Sequence, residues 1–250
     1  MNVRVTWKSL VAACLLSVSA VGATVVAFSW DAALREAVVA GQQPKEVWKR
    51  SAEAQFHGMV RRYGDWPWLM VAGGAGFGMA WKAGSRRWMR VVAAAMIAST
   101  TAGIVANASR LTTGRTRPRA SQKIEQGFYG PWHDGRLLVG DSTYNSFPSG
   151  HTATAFGMAI PFFAAGPFAG VVALAFAVLV AWSSIALGAH HLSDVVVSIA
   201  IAAVVSWLVW RWMRSRGDAA GAALGRRFTH LRAKLRGRFL PGVLIMLFIL

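Results

Sequence analysis

Apolar residues gather in six long runs along this chain, at residues 10–28, 66–81, 91–108, 148–165, 168–188 and 195–213. Several approach the roughly 20 residues that a helix needs to cross a bilayer. The pattern predicts an all-α integral membrane bundle of about six transmembrane helices. The run at 66–81 is short and glycine-rich, with tryptophans near both ends as interfacial anchoring would place them. Its Gly73, Gly74, Gly76 and Gly78 suit close helix packing better than a nucleotide loop, because no strand precedes them. The first run begins behind Arg4 and Lys8 and continues well past Cys14, so a retained helix is expected there rather than a cleaved leader.

Between the runs, the polar segments divide the chain into parts. Residues 31–65 mix Glu36, Lys45, Glu46, Lys49, Arg50, Arg61 and Arg62, and read as one or two amphipathic helices on the membrane surface. His57 sits there among ordinary surface residues and is given no role. Residues 109–147 are polar and rich in Arg, Gly and Pro, and residues 190–194 form a brief interruption. Beyond residue 216 a basic stretch leads to a terminal apolar run, 239–250, too short to span and expected as an interfacial helix. The expected division is residues 1–65 as first span plus surface region, 66–216 as a catalytic membrane core, and 217–250 as a cytoplasmic tail.

Charge then orients the bundle. The 27 Lys and Arg against 10 Asp and Glu give a net charge of +17. No nucleic-acid motif accompanies it, so the charge reads as loop charge and attraction to anionic headgroups, with no nucleic-acid partner. Residues 1–8, the 82–90 turn and the tail after Arg211 fall on one side of a six-span protein, which becomes the cytoplasmic side. Residues 109–147 and 189–194 then share the opposite face, toward the periplasm or exterior if the membrane is a bacterial inner membrane. The 109–147 segment is itself basic, against the rule, and a functional demand for positive charge would explain the exception. The single cysteine, Cys14, says nothing about redox compartment.

Three patches meet on that face. One holds Arg110, Arg115, Arg117 and Pro118; one is Pro148-Ser149-Gly150-His151; one runs from Ser183-Ser184 through His190 and His191 to Asp194. Pro-Ser-Gly suits a turn opening into a helix, whose free N–H groups make an anion site. Guanidinium groups that neutralise phosphate oxygens, two histidines and a carboxylate complete the set.

In this arrangement the chain resembles the type 2 phosphatidic acid phosphatase family, which shares its site with vanadium haloperoxidases. Arg110, six residues and Arg117-Pro118 stand for the first motif, with Arg in place of Lys. Pro148 to His151 matches the second in full. Ser183-Ser184, five residues, His190, three residues and Asp194 stand for the third, with Ser184 in place of a phosphate-binding Arg. The resemblance implies His190 as nucleophile forming a phosphohistidine, Asp194 holding the His190 Nδ1–H, and His151 as acid and then base. It implies Arg110, Arg117, Ser149 and the Gly150 N–H as phosphate ligands, with no metal and no cofactor. Arg115 or Arg119 would fill the gap left at Ser184. His191 is out of register, and His133 is a loop residue. The expected activity is hydrolysis of a phospholipid or polyprenyl phosphate, with two alternatives: phosphotransfer to another lipid, or non-catalytic binding of anionic lipid.

Overall fold

The computed structural model describes residues 7–121 and 123–216, with side chains from residue 18 to residue 215. Residues through Val209 form one compact unit, and a second unit begins at Trp210. Eight α-helices lie among the described residues: α1 (Trp7–Gly41), α2 (Lys45–Lys49), α3 (Ala52–Tyr63), α4 (Trp66–Lys82), α5 (Arg86–Thr113), α6 (Gly150–Ala159), α7 (Pro167–Ala186) and α8 (Leu192–Arg216). A two-stranded hairpin, β1 (Trp132–His133) with β2 (Arg136–Leu137), sits in the long connection between α5 and α6.

Each of the six expected spans has a helical counterpart. Among the described residues three helices, α5, α7 and α8, are long and apolar enough to cross a membrane. Large apolar side chains on these helices face outward, among them Ile104, Phe168, Val172, Trp182, Val204 and Trp207. The protein is an all-α integral membrane protein, and lipid is the solvent that such a surface suits.

The inward face of the bundle is built from small residues. Ala94, Ala95, Ala98, Ala102 and Ala106 of α5 are wholly or almost wholly buried. They let α6 approach so closely that a Cβ on Gly157 would fall 2.9 Å from the Ala98 carbonyl oxygen. The Ser99 hydroxyl donates to the Thr154 carbonyl at 2.9 Å across the same contact. Backbone approach of this kind is how helices gain dispersion energy where lipid offers no hydrophobic drive.

Three expectations need correction. The fourth run is not one helix: α6 ends at Ala159 and gives way to a 3-10 turn, Ile160–Ala164, at Pro161, which has no N–H to continue the ladder. α1 does not stop at Phe28 but runs to Gly41, carrying Asp31 into the interior, where it is 7% exposed. The 31–65 region therefore lies partly in the interior rather than wholly on the surface. α3 buries Ala54, His57 and Val60. It lies against α7, where a Cβ on Gly64 would fall 2.6 Å from both Val180 methyls. The expected tail and interfacial helix at 217–250 lie outside the described residues.

The α5–α6 contact is directly testable. Gly157→Val should destabilise the detergent-solubilised protein by ~1–3 kcal/mol, since the atoms it meets are backbone and cannot rotate away. Gly74→Ala, which meets nothing within 4 Å, should leave the melting temperature unchanged.

Candidate active site

The long α5–α6 connection folds back so that the three patches share hydrogen bonds. Gly114 ends α5 in the left-handed conformation, φ 57°, a common way for a helix to stop. Residues 115–117 then run beside 143–146, with Ser146 N–H donating to the Arg115 carbonyl at 3.0 Å and Arg117 N–H to the Thr143 carbonyl at 2.9 Å. The first patch meets the second where Arg110 Nε donates to the Pro148 carbonyl at 3.2 Å. The second meets the third where Ser149 N–H donates to the Asp194 carbonyl at 3.3 Å.

His190 lies at the centre and is 1% exposed. Its Nδ1 stands 2.7 Å from the Ser146 carbonyl oxygen. A carbonyl only accepts, so Nδ1 carries the proton and Nε2 holds the lone pair. That Nε2 is buried and has no hydrogen-bond partner. Burial pushes the His190 imidazole down to about 3, the charges of Arg110 and Arg117 act in the same sense, and Asp194 opposes them. The ring is neutral at physiological pH.

Asp194 does not hold His190 as expected. Its Oδ2 is 3.6 Å from His190 Nδ1 and accepts instead from the Ser146 hydroxyl at 2.5 Å and the His191 N–H at 2.8 Å. Its Oδ1 pairs with Arg115 Nη1. Arg115 Nη2 pairs in turn with Asp31 Oδ2 at 2.6 Å, and Asp31 takes the Ser193 N–H at 3.0 Å and the Ser193 hydroxyl at 2.5 Å. Phe28, Phe128 and Phe147 surround the Arg115 guanidinium at 5.0, 4.7 and 5.7 Å. The expectation that Arg115 compensates for Ser184 therefore fails: its guanidinium is committed to two carboxylates inside an aromatic box.

His151 opens α6. Its Nε2 is 2.7 Å from Asp65 Oδ1. Asp65 occupies the N-cap position of α4 yet makes no capping bond; the carboxylate is used on the histidine instead. That hydrogen bond holds the Asp65 carboxyl below the usual carboxylate range. Ser149 caps α6, accepting from Thr152 N–H at 3.4 Å and from the Thr152 hydroxyl at 2.9 Å, which leaves its own proton to donate. A Cβ at Gly150 would fall 2.6 Å from Arg110 Nη2, so a larger residue there would displace that guanidinium.

Unpartnered donors collect around these groups. Arg110 Nη2, Arg117 Nε and Arg61 Nε are all buried without a hydrogen bond. Burial first, then the charges of Arg119, Arg61 and Arg110, push the Arg117 guanidinium down to about 9, still protonated at neutral pH. Arg119 is exposed on its side chain, with its N–H on the Gly188 carbonyl at 3.0 Å. Ser184 is fully buried, its hydroxyl turned back on the Val180 carbonyl at 3.0 Å. His191 faces the Thr116 carbonyl at 3.1 Å, and His133 lies on the hairpin beside Asp134. Neither shares in the centre.

Sequence reasoning missed Asp31, Arg61, Asp65, His57 and Ser146. His57 is buried, with its Nδ1 3.0 Å from the Ser183 hydroxyl. None of them carries a motif signal in the sequence.

A membrane bundle that sets a neutral, open histidine nitrogen among arginines and a helix N-terminus defines a site of the phosphoryl-transfer class. The chain belongs to the PAP2 superfamily, whose family profile matches residues 87–218. That family supports phosphatase-type activity in general. Comparison with curated proteins and with solved structures gives no match.

The charge group around Arg115 yields its own test. Arg115→Ala leaves two buried carboxylates without their cation and should cost ~3–5 kcal/mol of stability, read as a large fall in melting temperature. An Arg serving only as a phosphate ligand would lower binding and leave stability alone.

Proposed function

We propose that the protein is a membrane lipid phosphate phosphatase working through a phosphohistidine at His190. The observation that carries this reading is the His190 Nε2 lone pair, buried and unpartnered, on a ring that feels the charges of Arg110 and Arg117, which have unpartnered donors of their own. In the first step Nε2 attacks phosphorus in line. An N–P bond forms as the bond to the lipid oxygen breaks, and His151 gives that oxygen its proton. In the second step His151 takes a proton from water, the hydroxide attacks phosphorus, the N–P bond breaks and inorganic phosphate leaves. Arg110, Arg117, the Ser149 hydroxyl and the Gly150 N–H bind the equatorial oxygens, which gives a reaction independent of divalent metal.

Asp65 is added to this set as the partner of His151. Its carboxylate favours the charged imidazolium, the form that can donate to a leaving oxygen. A lipid substrate, phospholipid or polyprenyl phosphate, suits a site at the end of a bundle whose flanks are apolar: the headgroup reaches the arginines while the chains stay in lipid. The site faces away from the cytoplasm, which accounts for positive charge in the 109–147 segment where the positive-inside rule disfavours it.

Phosphate release from a panel of lipid phosphomonoesters and diphosphates, with purified protein in detergent and EDTA present, tests the reading. His190→Ala and His151→Ala should each abolish release, while His133→Ala keeps most of it. Turnover that survives His190→Ala rules out the nucleophile. No turnover of any lipid by the wild type leaves anionic-lipid binding as the activity.

A pH profile tests the acid. Asp65→Asn removes the charge that favours protonated His151, so the fall in activity at high pH should begin at lower pH. An unmoved limb removes His151 from the role of acid or Asp65 from its side.

A further inference from the structure

The third patch has serine where its family resemblance calls for an arginine, and neither neighbour offered by the sequence fills the place. Arg115 is bound to Asp31 and Asp194, and Arg119, although its charge reaches Arg61 and Arg117, is the exposed member of the arginine cluster. We propose that Arg61, at the end of α3 and outside the three motifs, supplies the missing phosphate-binding guanidinium. This rests on the phosphoryl site described above.

The geometry comes from how α3 is fastened. His57 Nδ1 is 3.0 Å from the hydroxyl of Ser183, the residue next to the vacant position. Arg61 lies four residues on, so it projects from the same face of α3, one turn further along. Asp65 lies four residues beyond Arg61 and touches His151 at 2.7 Å. Arg61 is thereby bracketed between a contact to the third motif and a contact to the second. Two further contacts hold that end of the helix. Gly64 packs against Val180, the residue whose carbonyl takes the Ser184 hydroxyl. The Gly64 carbonyl accepts from the Thr154 hydroxyl on α6 at 3.5 Å.

Chemistry agrees with placement. Among the described residues Arg61 makes no ion pair and no side-chain hydrogen bond, and its Nε is buried without a partner, as are Arg110 Nη2 and Arg117 Nε. A guanidinium nitrogen removed from water without a partner is costly. Four arginines, Arg61, Arg110, Arg117 and Arg119, are close enough to repel one another. The two nearby carboxylates are already engaged, Asp65 with His151 and Asp194 with Arg115. A multiply charged oxyanion at the centre offsets the repulsion and satisfies the three open donors together. A phosphomonoester dianion or a diphosphate provides that charge, whereas a phosphodiester carries only one negative charge.

Binding of orthovanadate to the purified full-length protein in detergent, measured by calorimetry, reads Arg61 without requiring turnover. Arg61→Gln should weaken binding at least tenfold, with melting temperature maintained. Arg62→Gln, an exposed neighbour on the same helix, should bind as the wild type does. In a phosphate-release assay Arg61→Gln should lower kcat about a hundredfold, and Arg119→Gln far less. Wild-type orthovanadate affinity in Arg61→Gln, or a loss that follows Arg119 instead, overturns the assignment while leaving the phosphatase reading intact. If the wild type binds orthovanadate but releases no phosphate, and Arg61→Gln alone loses binding, Arg61 stands and the phosphatase reading falls. A wild type that binds no orthovanadate overturns both. Should Arg61→Gln fail to fold, Arg61→Lys carries the test. It keeps the charge and loses the planar fork, so weaker binding supports the role and unchanged binding refutes it.

Discussion

The Arg115 guanidinium lies between Asp194 and Asp31, and taking three charges this far out of water costs several kcal/mol per ion unless the geometry offsets it. The geometry here does so through many bonds. Two serines and two backbone N–H groups complete the carboxylates, and three aromatic rings surround the cation. The partners come from α1, from the strand-like run after α5, and from the start of α8. None of these segments can shift without leaving a buried charge bare, so the group fixes the bundle's open end in one arrangement. A hydrophobic cluster of the same volume would tolerate sliding. The site's positions to within a hydrogen bond depend on this intolerance.

Much of this end of the molecule was legible in the sequence, and the rest was not, for one physical reason. Apolar runs announce spans because a bilayer imposes length and polarity residue by residue, so α4, α5, α7 and α8 fall close to their expected limits. Pro148 to His151 announces a helix start because its turn chemistry is local. Asp31 announces nothing. It pairs with Arg115, 84 residues away, and from its own neighbours it reads as the edge of a polar surface. Arg61 and Asp65 were hidden likewise: an amphipathic stretch with arginines near its end is what a surface helix also looks like. Ser184 was readable as a gap, but the residue proposed to answer it stands on another helix, beyond the reach of motif spacing.

That displacement has a structural consequence. In the proposed assignment the cation is carried not by α7, next to the proposed nucleophile, but by α3, which is held to α7 through His57–Ser183 and through Gly64 against Val180. The same helix leads into Asp65 and so into the partner of His151. One short element therefore governs both a proposed phosphate contact and a proposed proton donor. Its register against α7 becomes as demanding as the motifs themselves, although no motif includes it.

The electrostatics of His190 follow from the same arrangement. A histidine that attacks phosphorus has to rest neutral and then tolerate positive charge as the N–P bond forms. A carboxylate gripping Nδ1 would serve the second need and weaken the first by raising basicity. Here the Ser146 carbonyl fixes the tautomer at 2.7 Å, and Asp194 stands off at 3.6 Å, shared with Arg115. Burial, with Arg110 and Arg117 acting in the same sense, opposes any proton on His190 and keeps its lone pair available. When a phosphate dianion enters, it cancels much of their field at the moment when charge develops on the ring. In the proposed mechanism anion binding and nucleophile activation are then coupled, because burial keeps His190 unprotonated and the arginines that would attract the substrate act in the same sense.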